Sequence, residues 1–240
     1  MKNIRITLTV QELKDAEACQ LGIKYFQTLF GEETEIFWNP MNELLVRKDP
    51  ELKKFFQWLL NKQLISSFSF SNMQLNFVDL QSANLQHMTM CNTNLSHANL
   101  RHANLSNVDL SNTNLNHANL KYANLSSANL TGAVLNNANL GWVDLSDAML
   151  AHAFLFCVDL SQGNLTDADL YGAVLYSTNL FNADLRNANL GDTDLSYANL
   201  CNANLKYANL HEATLANTKY NKATKFPEHF EIPKSMILVE

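Results

Sequence analysis

The chain has 240 residues, 47% of them hydrophobic, with a formal net charge of −6, a size that allows one elongated domain or two compact ones. The excess negative charge falls in residues 65–218, which carry 11 acidic and 4 basic side chains, whereas residues 1–64 carry 9 of each and residues 219–240 carry 3 and 4. This disfavours direct nucleic-acid binding, which needs a basic footprint, and the lack of any apolar run of about eighteen residues argues against a transmembrane helix.

From the N-terminus, residues 4–10 alternate apolar and polar side chains and predict a short strand. They lack the long apolar core of a secretory signal, so the expected location is cytoplasmic, with no membrane partner. Residues 11–30 predict an amphipathic helix: Ala16, Cys19, Ile23, Phe26 and Phe30 recur at helical spacing, and Gly31 ends the run. Two further helices are expected over about 41–48 and 50–62, the second with Asp49 as N-cap and Pro50 as its first helical residue. Residues 1–64 thus read as a small α-rich domain that caps whatever follows.

From Phe70 to Leu215 the sequence repeats every five residues: 28 of 30 positions are Leu, the others being Phe70 and Met90. Two places before each sits a mostly small residue, Ala in 18 cases, the exceptions being Phe68, Met73 and Met88, and between the two sits Asn or Asp in 22 of 30. No ordinary element has this period. On a helix, five steps leave successive Leu residues about 140° apart, and on a strand they change face each time. The pattern works if every repeat turns a corner, so that each Leu points at one axis. Asn and Asp are expected at those corners because they tolerate turn geometry and bond nearby backbone.

A typical stretch reads Ala118-Asn119-Leu120-Lys121-Tyr122-Ala123-Asn124-Leu125. This closely resembles the pentapeptide-repeat family, whose motif is a small residue, Asp or Asn, Leu or Phe, and two variable residues. The resemblance implies a mainly β fold, a right-handed quadrilateral β-solenoid with four repeats per coil, spanning residues 65–218. Thirty repeats would make about seven and a half coils and, at roughly 4.8 Å per coil, a rod about 36 Å long. The ends of such a rod expose apolar core and unpaired backbone and must be covered. Residues 219–240 are expected to form a C-terminal capping tail, because Pro227 and Pro233 cannot continue a strand ladder.

No phosphate-binding loop, nucleophile elbow, zinc-protease helix or calcium loop occurs, so no catalytic residue and no cofactor is expected. The four cysteines, Cys19, Cys91, Cys157 and Cys201, form no paired motif and read as free thiols. With four repeats per coil, His97 lies below His117, and His102 stacks with Tyr122 and Trp142. A flat wall does not converge ligands, so these histidines read as surface groups and no metal site is expected. Asp79, Asp109, Asp144, Asp159, Asp169, Asp184 and Asp194 share the position that Asn fills elsewhere, which points to turn formation and not to acid–base chemistry.

Some members of the family resemble B-DNA in size and charge, bind DNA gyrase and protect it from quinolones. A rod of about 36 Å imitating DNA would need roughly 20 negative charges. Here 11 acids are offset by 4 bases. Asp144, Asp147, Asp167 and Asp184 form the candidate acidic surface on one wall, which Arg186 and Lys206 share. A DNA-mimic inhibitor or protector of a type II topoisomerase is therefore the alternative reading.

The strongest departure from the pattern is apolar. The Asn/Asp position becomes Val134, Phe154 and Val174, which are four repeats apart and should stack in consecutive coils. Phe156 and Tyr176 take the next outward position on that wall. Met149 breaks the rule on the adjacent wall, with Tyr171 beside it, and Phe181 lies round the other corner. A contiguous exposed apolar patch calls for a cover: a second copy of the chain, another protein, or the N-terminal domain folding back. A homodimer is the favoured cover, and the leading functional reading is a non-enzymatic protein–protein interaction or scaffold protein.

Overall fold

A computed structural model describes residues 4–7, 35–38, 62 and 69–240 of the chain. Two compact units divide between Ser69 and Phe70. In the first, strand β1 (Ile4–Thr7) pairs antiparallel with strand β2 (Glu35–Trp38), with Ile4 opposite Trp38 and Thr7 opposite Glu35. The strand expected over 4–10 is thus described for its first four residues. The helices expected over 11–30, 41–48 and 50–62 lie outside the described residues, except that Lys62 sits in a turn. No helix occurs among the described residues, so the α-rich character expected of residues 1–64 finds no support there, and what is described is mainly β.

The second unit is a solenoid in which one coil spans four repeats. Parallel bridges join each Asn/Asp position to its equivalent one coil on, from Gln74↔Asn94 to Asn199↔Lys219. Hydrogen bonds alternate in direction along the chain. The Leu95 amide donates to the Asn114 carbonyl in the coil above, and the Asn94 amide to the Met73 carbonyl in the coil below. Successive sides are joined by a turn in which the amide three residues after each Leu donates back to its carbonyl, as from Ala98 to Leu95 at 3.0 Å. The third residue of these turns has φ between 53° and 66°, the left-handed conformation that type II turns reserve for glycine or asparagine.

This geometry corrects the expected role of Asn and Asp. They sit on the flat of each side, one residue before the Leu, and the bend falls on the two variable residues after it. The left-handed position is often Asn, as at Asn107, but it also holds His97, Tyr122, Ser127 and Trp142. Each such residue costs of order 1 kcal/mol or more in an isolated turn. The ladders above and below fix the backbone and offset that cost.

The core is a column of Leu side chains, fully buried from Leu85 through Leu205 except where Met90 replaces one. Each contributes roughly 1.5–3 kcal/mol. The small residue two places earlier is buried as well, which explains the preference for Ala. Thr in this row donates its hydroxyl to a buried carbonyl, one coil below for Thr113 Oγ1 to Met90 at 2.9 Å and Thr178 Oγ1 to Leu155 at 2.6 Å, and within its own turn for Thr193 Oγ1 to Leu190 at 2.7 Å.

Beyond Leu215 the coil continues. Asn204 bridges Lys225, one residue further on than the repeat alone would bring it. The extra residue is absorbed, and Thr224 takes the small-residue place, donating to the Leu200 carbonyl at 2.9 Å. Strand β3 (Lys219–Tyr220) pairs parallel with strand β4 (Ile237–Leu238), which lays a final partial coil over the last full one. In the segment that connects them, Phe226 stacks on Phe230 at 5.2 Å. Cys91, Cys157 and Cys201 are free thiols, and Cys19 lies outside the described residues. Among the described residues no helix is long and apolar enough to cross a membrane.

Candidate functional site

Every Asn and Asp of the bridge row has the same local task. Its Oδ1 accepts a hydrogen bond from the backbone amide two residues on, capping the turn. Asn94 takes the Ser96 amide at 3.1 Å, Asn124 that of Ser126 at 2.9 Å, and Asp194 that of Ser196 at 2.9 Å. Many of the asparagines also donate Nδ2 to the residue one coil below, as Asn104 does to Asn84 at 3.2 Å and Asn189 to Asp169 at 2.9 Å. The fold therefore gains twice from an amide at this position.

Val134, Phe154 and Val174 give up both gains. They are bridged to one another in consecutive coils, between Asn114 below and Asp194 above. With no side-chain oxygen two residues before them, the Asn136 and Tyr176 amides find no acceptor among the described residues, and neither does that of Ala151 behind Met149. The Phe156 amide is rescued by Asn136 Oδ1 from the coil below at 3.0 Å. Asn116 Oδ1 on the same edge is buried with no partner among the described residues. Each forfeited bond costs about 1 kcal/mol. The row thus forgoes, at Val134 and Val174, the cap that the repeat's usual Asn or Asp supplies.

The surface gained is apolar. Phe154 is 48% exposed, Met149 46%, Phe156 43% and Tyr171 45%, while Val134, Val174 and Tyr176 are half-buried. Phe156 and Tyr176 stack along one edge of the side, with centroids 5.5 Å apart and planes within 12°. Tyr197 extends that stack at 5.1 Å and is 51% exposed. Tyr171 meets His152 edge-on at the opposite edge. Phe181 does not join the group. It follows Leu180, a whole side further round the coil, so the side that ends in Leu180 separates it from Phe156.

Tyr197 escapes the repeat arithmetic because it lies one residue beyond the place directly above Tyr176. The two outward residues of a turn are neighbours, so a ring at either one reaches the stack. Along the same edge Phe77, His97 and His117 stack at 4.7 and 4.8 Å, and on the following edge His102, Tyr122 and Trp142 stack at 4.9 and 6.3 Å. The repeat places these imidazoles as expected, and Phe77 joins them. They lie along the rod, one ring per coil, and among the described residues no three metal-ligating side chains converge.

The four residues of the candidate acidic surface are spread over one side and its edge. Asp144 is engaged by the Ser146 amide and hydroxyl and by Asn164 Nδ2 at 3.0 Å. Asp184 is clamped by Arg186, whose Nε lies 2.8 Å from Oδ1 and whose terminal nitrogen lies 2.7 Å from Oδ2. Partial burial pushes the Asp184 carboxyl up, but the hydrogen bonds and charge of Arg186, with Lys225 beyond it, outweigh this and hold it below the ordinary carboxylate range. Asp147 and Asp167 occupy the left-handed turn position in consecutive coils and are exposed.

The family model for pentapeptide repeats matches residues 74–112, 113–150, 153–192 and 183–219. In fold the chain is similar to a trypsin-treated single-residue variant of QnrB1, described as a plasmid-mediated fluoroquinolone resistance protein. The match has a TM-score of 0.58 at 13% identity, covering 72% of this chain and 90% of that one. It is also similar to the pentapeptide repeat protein Rfr23 from the cyanobacterium Cyanothece 51142, at 40% identity over 41% of this chain and 63% of that one, with a TM-score of 0.24. A third likeness is to HetL from Nostoc sp. strain PCC 7120, a pentapeptide repeat protein involved in heterocyst differentiation regulation. It is 27% identical over 63% of this chain and 86% of that one, with a TM-score of 0.25. No curated protein matches the chain.

Proposed function

The chain belongs to the pentapeptide-repeat family, and from that premise we propose that it is a non-enzymatic interaction protein whose side bearing Val134, Phe154 and Val174 is the surface that takes a protein partner. One observation carries the reading: three consecutive coils exchange the capping Asn or Asp for an apolar side chain, two of them leaving the amide two residues on without an acceptor among the described residues, while half of Phe154 faces solvent. An apolar row that costs the isolated solenoid stability is favourable once covered, since burying each large side chain contributes roughly 1.5–3 kcal/mol. The rigid ladder supports this use, because it holds the row without needing the partner for folding.

The test is site-specific photo-crosslinking in the native cell. A photoreactive phenylalanine analogue at position 154 is expected to give a discrete adduct, and the same analogue at position 124, on another side, none. Absence of any adduct from position 154 would remove the reading.

A second reading concerns the charged side. Asp147 and Asp167, stacked and exposed in consecutive coils, present a short row of carboxylates. Such a row favours a DNA-mimic role against a type II topoisomerase, in line with the resistance role named for QnrB1. The Arg186 clamp on Asp184 limits the length of that row. A gyrase supercoiling assay with micromolar protein decides it: neither inhibition nor protection from a quinolone would eliminate this reading.

A further inference from the structure

The apolar row is symmetric about its own centre. Going up the side, the bridge position reads Asn114, Val134, Phe154, Val174, Asp194. From this we infer that the partner is a second copy of the chain, laid antiparallel on the first and related by a twofold axis that lies in the interface and crosses the row at Phe154. This rests on the reading of that side as a protein-binding surface and supplies its occupant.

The geometry favours this pairing over others. A twofold axis across the row sets Phe154 on its own counterpart and Val134 on Val174 of the second copy, so apolar faces apolar at all three levels. At the two ends it sets Asn114 opposite Asp194 of the second copy. Asn114 uses its Oδ1 to cap the Asn116 amide, and its Nδ2 donates to nothing among the described residues. Asp194 uses Oδ1 to cap the Ser196 amide, and its Oδ2 accepts nothing among the described residues. An available donor thus meets an available anionic acceptor, twice per dimer. An axis along the rod would instead set Asp194 on Asp194, like charge on like. Self-complementarity of this kind is what an isologous interface requires.

The exposed area suffices. Large aromatic side chains bury about 150–250 Å² each, so Phe154, Phe156, Tyr171 and Tyr197, each about half exposed, with the part-exposed Val134, Val174 and Tyr176, offer about 500 Å² a side. That makes about 1,000 Å² in total, the lower bound for a specific interface. The flat ladder lets two sides approach at the spacing of stacked sheets, about 10 Å.

The experiment uses the full chain. Light scattering on the wild type is expected to give twice 27.1 kDa at tens of micromolar. Phe154→Asp is expected to give 27.1 kDa with an unchanged circular dichroism spectrum, and Phe154→Asn, which restores the residue type of the other sides, serves as the second variant should the charge disturb folding. In a background with the native cysteines replaced by serine, mixed Asn114→Cys and Asp194→Cys proteins are expected to form the mixed disulfide ahead of either homodisulfide. A monomeric wild type overturns the second copy, and a position-154 photo-adduct with a different protein would then leave the binding surface standing. A dimer unmoved by both Phe154 variants overturns the location. Preference for either homodisulfide overturns the antiparallel arrangement.

Discussion

If the apolar row is kept for binding although it lowers stability, restoring the repeat's own residue should make the solenoid more stable. Consider Val134→Asn. The introduced Oδ1 would cap the Asn136 amide, which now lacks an acceptor among the described residues; such a bond is worth about 1 kcal/mol. The introduced Nδ2 can also donate to Asn114 Oδ1 in the coil below, as Asn104 does to Asn84, which adds about 0.5 kcal/mol at a part-exposed site. Against this stands the loss of two half-exposed methyl groups, about 0.8 kcal/mol given a similar value for one fully buried methylene. The balance is a gain of about 0.5–1 kcal/mol. At Val174→Asn the residue below is Phe154, which offers no acceptor, so only the cap on Tyr176 is gained and the change is close to neutral. Urea unfolding measures both, at protein concentrations low enough that any partner copy has dissociated. The midpoint is expected to rise for Val134→Asn with the slope unchanged. A loss of about 1 kcal/mol or more at either site, the typical effect of a damaging substitution, would show that the valines are packing residues of the solenoid. The side would then owe its valines to packing and not to a partner.

Two further outcomes follow from the geometry. Thr113→Val removes a buried hydroxyl bond to the Met90 carbonyl without a clash, since Val fills the same row at 78, 108, 143 and 158; it is expected to lower the unfolding free energy by about 0.5–1.5 kcal/mol, and an unchanged urea midpoint would contradict this. Arg186→Ala removes the clamp on Asp184, whose carboxyl is held below its ordinary range. A lowered folded-state value contributes stability that is present above the unfolded value, near pH 4, and is lost as pH falls through the folded one. Thermal unfolding should therefore show wild type above the variant at neutral pH and the two converging in strong acid; divergence toward acid would give the opposite sign.

Much of this was legible because the repeat is unbroken. A Leu at every fifth residue dictates a corner per repeat, and counting in steps of one coil then stacks Val134, Phe154 and Val174, or His97 and His117, without coordinates. Contacts that do not respect the step escape such counting. Tyr197 joins the stack of Tyr176 although it is displaced by one residue from the place above it, because a turn has two adjacent outward positions. The step from Asn204 to Lys225 absorbs an extra residue, and Ile237–Leu238 rejoins the ladder after two prolines. The role of Asn and Asp is hidden for a related reason. Their side chains act on the turn from outside it, while the strained conformation falls two residues after each Leu, where frequent Asn and His are diluted by residues such as Trp142 and Tyr207. Strand β2, four residues long, has too short an alternation to be recognised.

The twenty-residue coil also governs how such a chain can change length. Inserting or deleting twenty residues slides everything beyond the change along the rod and leaves each row aligned with itself. A change of five residues keeps every Leu on the axis, and the core survives, but it swings all that follows through a quarter turn. Five residues lost between His117 and Val134 would carry Val134, Phe154 and Val174 round to a different side relative to His97 and His117, with little change in the core. Length in this protein is thus an angular coordinate. Duplication of single repeats re-aims surfaces relative to one another, and duplication of whole coils only spaces them.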